Sequence, residues 1–104
     1  MTLELETIKR KDIYDENPDL SWVDKKRLES MDMGYWHFIG ILAVAEIRIN
    51  GISETISSPG LWNIESDSDE SDLNEIYQDQ KDELAAMLRE LGFSDAQLLE
   101  VVQE

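Results

Sequence analysis

Nine carboxylates lie between Glu65 and Glu83: Glu65, Asp67, Asp69, Glu70, Asp72, Glu75, Asp79, Asp82 and Glu83, against one base, Lys81. Carboxylates at this density have three chemical uses. They can hold a hard cation through oxygen ligands, move protons as an acid–base pair, or meet a basic surface by charge. The cation reading starts well, with Asp67, Asp69 and Ser71 at the first, third and fifth positions of a loop. It then departs from the calcium-loop pattern, because Asp72 stands where Gly is needed and Gln78 where a bidentate Glu is needed. Weak divalent-cation binding is the most that this spacing supports, and no metal site is assigned.

Acid–base and nucleophilic chemistry find less. The only histidine, His37, sits between Trp36 and Phe38, where a packed or surface ring is the ordinary outcome. There is no cysteine, no Gly-rich phosphate loop, no His-Glu-x-x-His pair and no nucleophile elbow. The expectation is a protein that is not an enzyme, with no catalytic residue and no cofactor. The third use remains. Serine and aspartate at a helix start serve as caps, and acids in a first turn suit the helix dipole, so Ser66, Asp67, Ser68 and Ser71 are candidate caps. Capping needs one or two of them, and the excess calls for another explanation. On a helix, Glu75, Asp79, Asp82 and Glu83 fall away from the apolar side with like charges at i, i+4, an arrangement that costs a few tenths of a kcal/mol per pair. Such a row can stand in for a phosphate backbone in a basic groove.

The totals agree with this direction. The chain has 104 residues, 24 acids against 9 bases, a formal net charge of -15, 41% hydrophobic residues and three tryptophans. That is enough for one domain, spanning 1–104, with one modest core. The charge repels nucleic acid and anionic membranes and attracts basic protein surfaces; it also promotes solubility by itself. Neither a signal-like run nor a stretch of membrane-spanning length is visible, so the expected location is cytoplasmic, with no membrane partner and no direct nucleic-acid contact.

The elements that must position the acidic run read as follows. Residues 1–34 form an N-terminal segment. Leu3 to Ile8 alternate as an edge strand, Lys9-Arg10-Lys11 with Asp12 make a local ion-pair patch, and Asn17-Pro18-Asp19 makes a turn. Ser21 is a predicted N-cap, paired with Asp24, for a helix from Trp22 to Met31 that carries Trp22, Val23, Leu28 and Met31 near the core and ends at Gly34. Residues 36–65 are a predicted β-meander. Trp36 to Ile49 is its central strand, with one fully apolar parity (Ile39, Ile41, Ala43, Ala45, Ile47, Ile49), covered on both sides near its start. Asn50-Gly51 is a tight-hairpin pair, although two-residue and three-residue turns give Glu54 different partners. Ser58-Pro59-Gly60 is a second turn, and Leu61 to Glu65 a third strand with Trp62 and Ile64 on one face. Residues 68–103 are C-terminal helices: first a stripe of Leu73, Tyr77, Gln80, Leu84, Met87 and Leu91, widened by Ile76 and Leu88, with Gly92 as cap. A Ser94-x-x-Gln97 capping box then opens a last helix with Ala96, Leu98, Leu99, Val101 and Val102. The fold class is α+β, a three-stranded antiparallel meander packed against helices from both ends of the chain.

Several strings together carry a resemblance: Asn17-Pro-Asp-Leu-Ser-Trp22, Trp36-His-Phe-Ile-Gly-Ile-Leu-Ala-Val-Ala-Glu-Ile47, Thr55-Ile-Ser-Ser-Pro-Gly-Leu-Trp-Asn-Ile-Glu-Ser-Asp-Ser68 and Leu91-Gly-Phe93. With these the chain resembles a family of small acidic proteins encoded by bacteriophages and mobile elements, without an assigned function. The family usually has Gly after the motif tryptophan; Asn63 stands there here, a departure that bears on the local turn. The resemblance brings no catalytic residue. It implies a setting, the cytoplasm of a bacterial host in which phage and host proteins compete.

In that setting the leading expectation is a non-enzymatic accessory protein of the anti-CRISPR or DNA-mimic kind. It would inhibit a basic, nucleic-acid-binding host protein or complex. The expected contact residues are Asp67, Asp69, Glu70, Asp72, Glu75, Asp79, Asp82 and Glu83, with Trp62 (or Trp36) as an aromatic anchor. The alternative is a structural or regulatory subunit, a homodimer through Leu98 to Val102, whose charge serves solubility. A weak divalent-cation binder is the third.

Overall fold

The computed structural model describes residues 2–103. In chain order the elements are β1 (Leu3–Tyr14), α1 (Lys25–Asp32), β2 (Phe38–Ile49), β3 (Ile52–Ser57), β4 (Leu61–Glu65), α2 (Glu70–Leu91), α3 (Asp95–Glu100) and β5 (Val102–Gln103). The fold is α+β, and its axis is β2. Every residue from Phe38 to Ala45 is buried, because an apolar run without polar alternation must be covered on both faces.

β1 is not a short edge strand. It pairs antiparallel with β2 along its whole length, from Leu3 opposite Ile49 to Tyr14 opposite Ile39, with a bulge between Leu5 and Thr7. The basic run Lys9 to Lys11 continues the strand instead of ending it. Alternation sends Arg10 and Asp12 to one face and Lys9 and Lys11 to the other, and their long stems reach solvent while the backbone stays paired. The far margin of β1 carries β5, parallel, with Thr7 opposite Val102.

The meander is also corrected. β3 and β4 both pair antiparallel with β2, β3 over Val44–Ile49 and β4 over Phe38–Ile41. They run end to end along one edge of β2, so Ser58-Pro59-Gly60 interrupts a strand without reversing it. Pro59 has no N–H to give to a ladder. The Ser58 hydroxyl fills part of the gap, accepting the Ala43 N–H at 2.9 Å while Ser58 N–H donates to the Ala43 carbonyl. The sheet order is β3-β2-β1-β5, with β4 beside β2. At the true reversal, Asn50 (φ 52°) and Gly51 (φ 83°) make a two-residue turn, and Glu54 faces Ile47.

Both terminal helical segments differ from expectation. α1 begins at Lys25, since the Asp24 carboxylate, not the Ser21 hydroxyl, accepts the Arg27 N–H. Trp22 and Val23 lie in the turn before it, and no α1 residue is buried. The helix is attached through Trp36, whose Nε1–H donates to the Arg27 carbonyl at 3.0 Å while the Arg27 guanidinium lies 3.9 Å above its ring. At the other end, the Ser94–Gln97 capping box forms. The last helix stops at Glu100, with Val101 buried and Val102 in β5.

α2 covers the odd-numbered face of β2. Leu73, Tyr77, Gln80, Leu84 and Leu88 are buried against Ile39, Ile41, Ala43, Ala45 and Ile47. Leu84 and Leu88 are fully buried, each worth about 1.5–3 kcal/mol in transfer from water. Gln80 fixes the helix to the strand interruption, its Oε1 accepting the Gly60 N–H at 2.8 Å. Gly92 (φ 111°) ends the helix in the left-handed conformation, and Leu91 turns outward, unlike the expected stripe. The result is a rod, 54 × 24 × 20 Å, with a radius of gyration of 16.6 Å against about 13 Å for a compact chain of this length.

Candidate functional site: the acidic face of α2

The acidic run divides at the start of α2. Around that start, Glu65, Asp67, Glu70, Ser66 and Ser68 are used inside the fold. Arg27 binds both oxygens of Asp67 at 2.8 and 3.0 Å and reaches Glu65 at 3.1 Å. The hydrogen bonds to Arg27 hold the Asp67 carboxyl below its ordinary range, with burial acting in the opposite direction. The Ser66 hydroxyl accepts the His37 N–H at 2.9 Å, and the Ser68 hydroxyl donates to the Glu65 carbonyl at 2.6 Å. None of the expected serine caps forms: Asp69 occupies the N-cap, without a side-chain cap bond. Glu70 binds Arg10 at 2.6 Å, and Arg10 also binds Asp12.

Downstream the charge is free. Asp69, Asp72, Glu75, Asp79, Asp82 and Glu83 are exposed, and none has an ion-pair partner among the described residues. From Asp69 to Glu83 the row extends about 21 Å at 1.5 Å per residue. Glu75–Asp79 and Asp79–Glu83 are like-charge pairs at i, i+4, and Asp72–Glu75 and Asp79–Asp82 at i, i+3, each unfavourable by about 0.2–0.5 kcal/mol. The single base in this stretch does not relieve them. Lys81 Nζ lies 5.4 Å from the Tyr77 ring and donates to Gln103. Burial raises the pKa of the Tyr77 phenol, with Arg10 acting in the opposite direction.

The tryptophans do not join the row. Trp36 is buried, edge-on to Phe38 at 4.9 Å. Trp62 is 43% exposed and lies over Gly40, where a Cβ would come within 2.3 Å of its ring. Gly40 alternates with Ile39 and Ile41, whose side chains face α2, so Trp62 occupies the opposite face of the sheet. It is not an anchor beside the carboxylates. His37 is exposed and stacks on Tyr14 at 5.5 Å, with its Nδ1 3.4 Å from the Ser66 hydroxyl. Among the described residues no three His, Cys, Asp or Glu side chains are grouped to hold a metal ion. The cation loop is taken apart by Arg27, which occupies Asp67.

The C-terminal segment named for the alternative interface is partly exposed. Leu99 is 86% and Val102, in β5, 59% exposed, whereas Val101 is buried. The Asp15 carboxylate, which no local motif singles out, is buried and accepts the backbone N–H of Asn17 and Asn63. Asn63 has φ 64°, a region open to Gly and tolerated by Asn. Comparison with protein-family models, with curated proteins and with solved structures returned no match. Among the described residues no helix is long and apolar enough to cross a membrane.

Proposed function

We propose that the chain is a non-enzymatic interaction protein whose α2 carboxylates dock into the basic groove of a nucleic-acid-binding protein, in competition with its nucleic acid. One observation carries the reading: six exposed carboxylates without an ion pair among the described residues, Asp69 at the N-cap and Asp72, Glu75, Asp79, Asp82 and Glu83 within α2, stand along one rigid helix. A stable helix would gain from interspersed lysines, so the uncompensated row is explained better by a partner than by folding. α2 is fixed to the sheet by five buried side chains, which holds the row straight and lowers the ordering cost of docking. Glu65, Asp67 and Glu70 serve as struts, leaving the contact to the other six acids. The bacteriophage resemblance supplies the setting, a bacterial host whose nucleic-acid-binding defence complexes would be the targets of inhibition.

The test is affinity capture from a bacterial lysate with the wild-type chain and with a variant carrying Asp72→Asn, Glu75→Gln, Asp79→Asn and Glu83→Gln. Wild type should retain nucleic-acid-binding proteins at low salt, release them when duplex DNA is added, and lose them as ionic strength rises. The reading fails if the retained proteins are the same for the variant, or are unaffected by DNA and salt.

A further inference from the structure

The bases of this chain are sorted by type. All four arginines form ion pairs with carboxylates: Arg10 with Asp12 and Glu70, Arg27 with Glu65 and Asp67, Arg48 with Glu6, and Arg89 with Asp95. None of the five lysines has an ion-pair partner among the described residues, although 24 of 104 residues are acidic; Lys81 is held by Gln103 and the Tyr77 ring, which leaves Lys9, Lys11, Lys25 and Lys26. Their placement is one-sided. Lys9 and Lys11 pair across the strands with Val44 and Leu42, so they share the even-numbered face with Gly40 and the Trp62 ring above it. Lys25 and Lys26 open α1, three and four residues after Trp22, which is 56% exposed and edge-on to Phe38 on that face at 5.8 Å.

The molecule is therefore polarised. One broad side is the acidic α2 row; the other presents two half-exposed tryptophans bordered by free lysines. Exposed aromatic rings within a rim of unsatisfied charge are the usual composition of a contact surface. The charge of the rim selects an acidic occupant, and a helical row of unpaired carboxylates is already present on every copy of this chain.

We propose that the Trp22–Trp62 face, through Lys9, Lys11, Lys25 and Lys26, receives the α2 carboxylate row of a second copy. The contact is heterologous: a row on one copy meets a face on the next, so each added copy leaves one of each surface unused. It rests on the reading that the α2 row is a docking surface, and adds that self-association covers the row and competes with any basic partner. Salt weakens this contact, as it weakens partner binding.

Sedimentation velocity of the isolated chain across a concentration series, at low and high ionic strength, tests the idea without any host protein. Wild type should show species above the 12.0 kDa monomer at low salt and only monomer at high salt. Two variants separate the surfaces: Lys9→Glu with Lys11→Glu spoils the face, and Asp79→Lys with Asp82→Lys spoils the row. Each alone should associate about tenfold or more weakly than wild type. Mixed, the intact row of the first should meet the intact face of the second and give a 1:1 complex that does not grow. Both variants should keep the wild-type circular dichroism, and a variant that does not is replaced by its neutral form, with Gln for Lys or Asn for Asp. A wild-type chain that is monomeric at every concentration at low salt overturns the proposal. So does a mixture that contains no 1:1 complex. Either result leaves partner capture by the α2 row intact, whereas loss of capture with self-association preserved would refute the partner reading alone.

Discussion

The buried carboxylate of Asp15, 8% exposed, accepts the backbone N–H of Asn63 at 3.0 Å and so joins the end of β1 to the middle of β4, 48 residues away. Asn63 holds the clasp from its own side. Its carboxamide accepts from the Asp19 N–H and donates to the Asp19 carbonyl at 3.2 Å. Asp15→Asn keeps the shape but turns one acceptor into a donor facing an N–H. The expected loss is about 1–3 kcal/mol, the range for an unsatisfied buried polar group, measured by denaturant unfolding.

The φ of 64° at Asn63 separates two further variants. Asn63→Ala loses the Asp19 bonds and forces Ala into the left-handed region, a cost of about 1–2 kcal/mol for the backbone alone. Asn63→Gly loses the same bonds without that strain. Asn63→Gly should therefore unfold at the higher denaturant concentration of the two, and the reverse order would contradict the conformation described for β4.

Trp62 lies on Gly40 because there is no Cβ to hold it off. Gly40→Ala places a methyl 2.3 Å from Cε3 of the ring, too close to be met without moving Trp62. Tryptophan emission should shift to the red as the ring is lifted into water, with about 1–3 kcal/mol of lost stability from overpacking. An unchanged spectrum would show that the ring has room to slide.

The α2 row sets stability against binding. Asp79→Lys turns three like-charge contacts, with Glu75, Asp82 and Glu83, into favourable ones, for a gain of about 1–3 kcal/mol, each contact swinging by twice the ~0.2–0.5 kcal/mol of a pair. The same change should weaken partner capture. In the wild type, screening these contacts means that the melting temperature rises with added salt. A variant that is both more stable and fully competent to bind would remove the functional reading of the row.

Acid tests the Arg27 strut. The Asp67 pKa is lowered from 3.8 in the folded chain by its hydrogen bonds to Arg27. A folded pKa below the unfolded one gives stability that is fully present above the unfolded value and disappears as pH falls through the folded value. The melting-temperature difference between wild type and Asp67→Asn should thus be constant near neutrality and shrink once pH falls below about 3.8. A difference that grows in acid would reverse the sign.

Much of this protein follows from local chemistry alone. The continuous apolar run of β2 requires cover on both faces, Asn50-Gly51 requires positive φ and hence a hairpin, Gly92 ends α2, and Ser94 with Gln97 starts α3; each depends on residues close in sequence. The density and side of the α2 carboxylates are likewise a matter of helical periodicity. What depended on tertiary structure involves partners distant in the chain. Lys9 to Asp12 stay in a strand because β2 offers them a full ladder, a gain that local charge does not reveal. Ser58-Pro59-Gly60 interrupts a strand without turning it, since β2 is long enough to pair both β3 and β4 along one edge. Asp67 and Glu70 look like their acidic neighbours in sequence, yet Arg27 and Arg10, 40 and 60 residues away, neutralise them. Trp62 is separated from the acidic row by the thickness of the sheet, a separation set by which parity of β2 faces the helix. Spacing along the chain specifies an element and its exposed side, whereas pairing across the fold decides which of its charges remain for a partner.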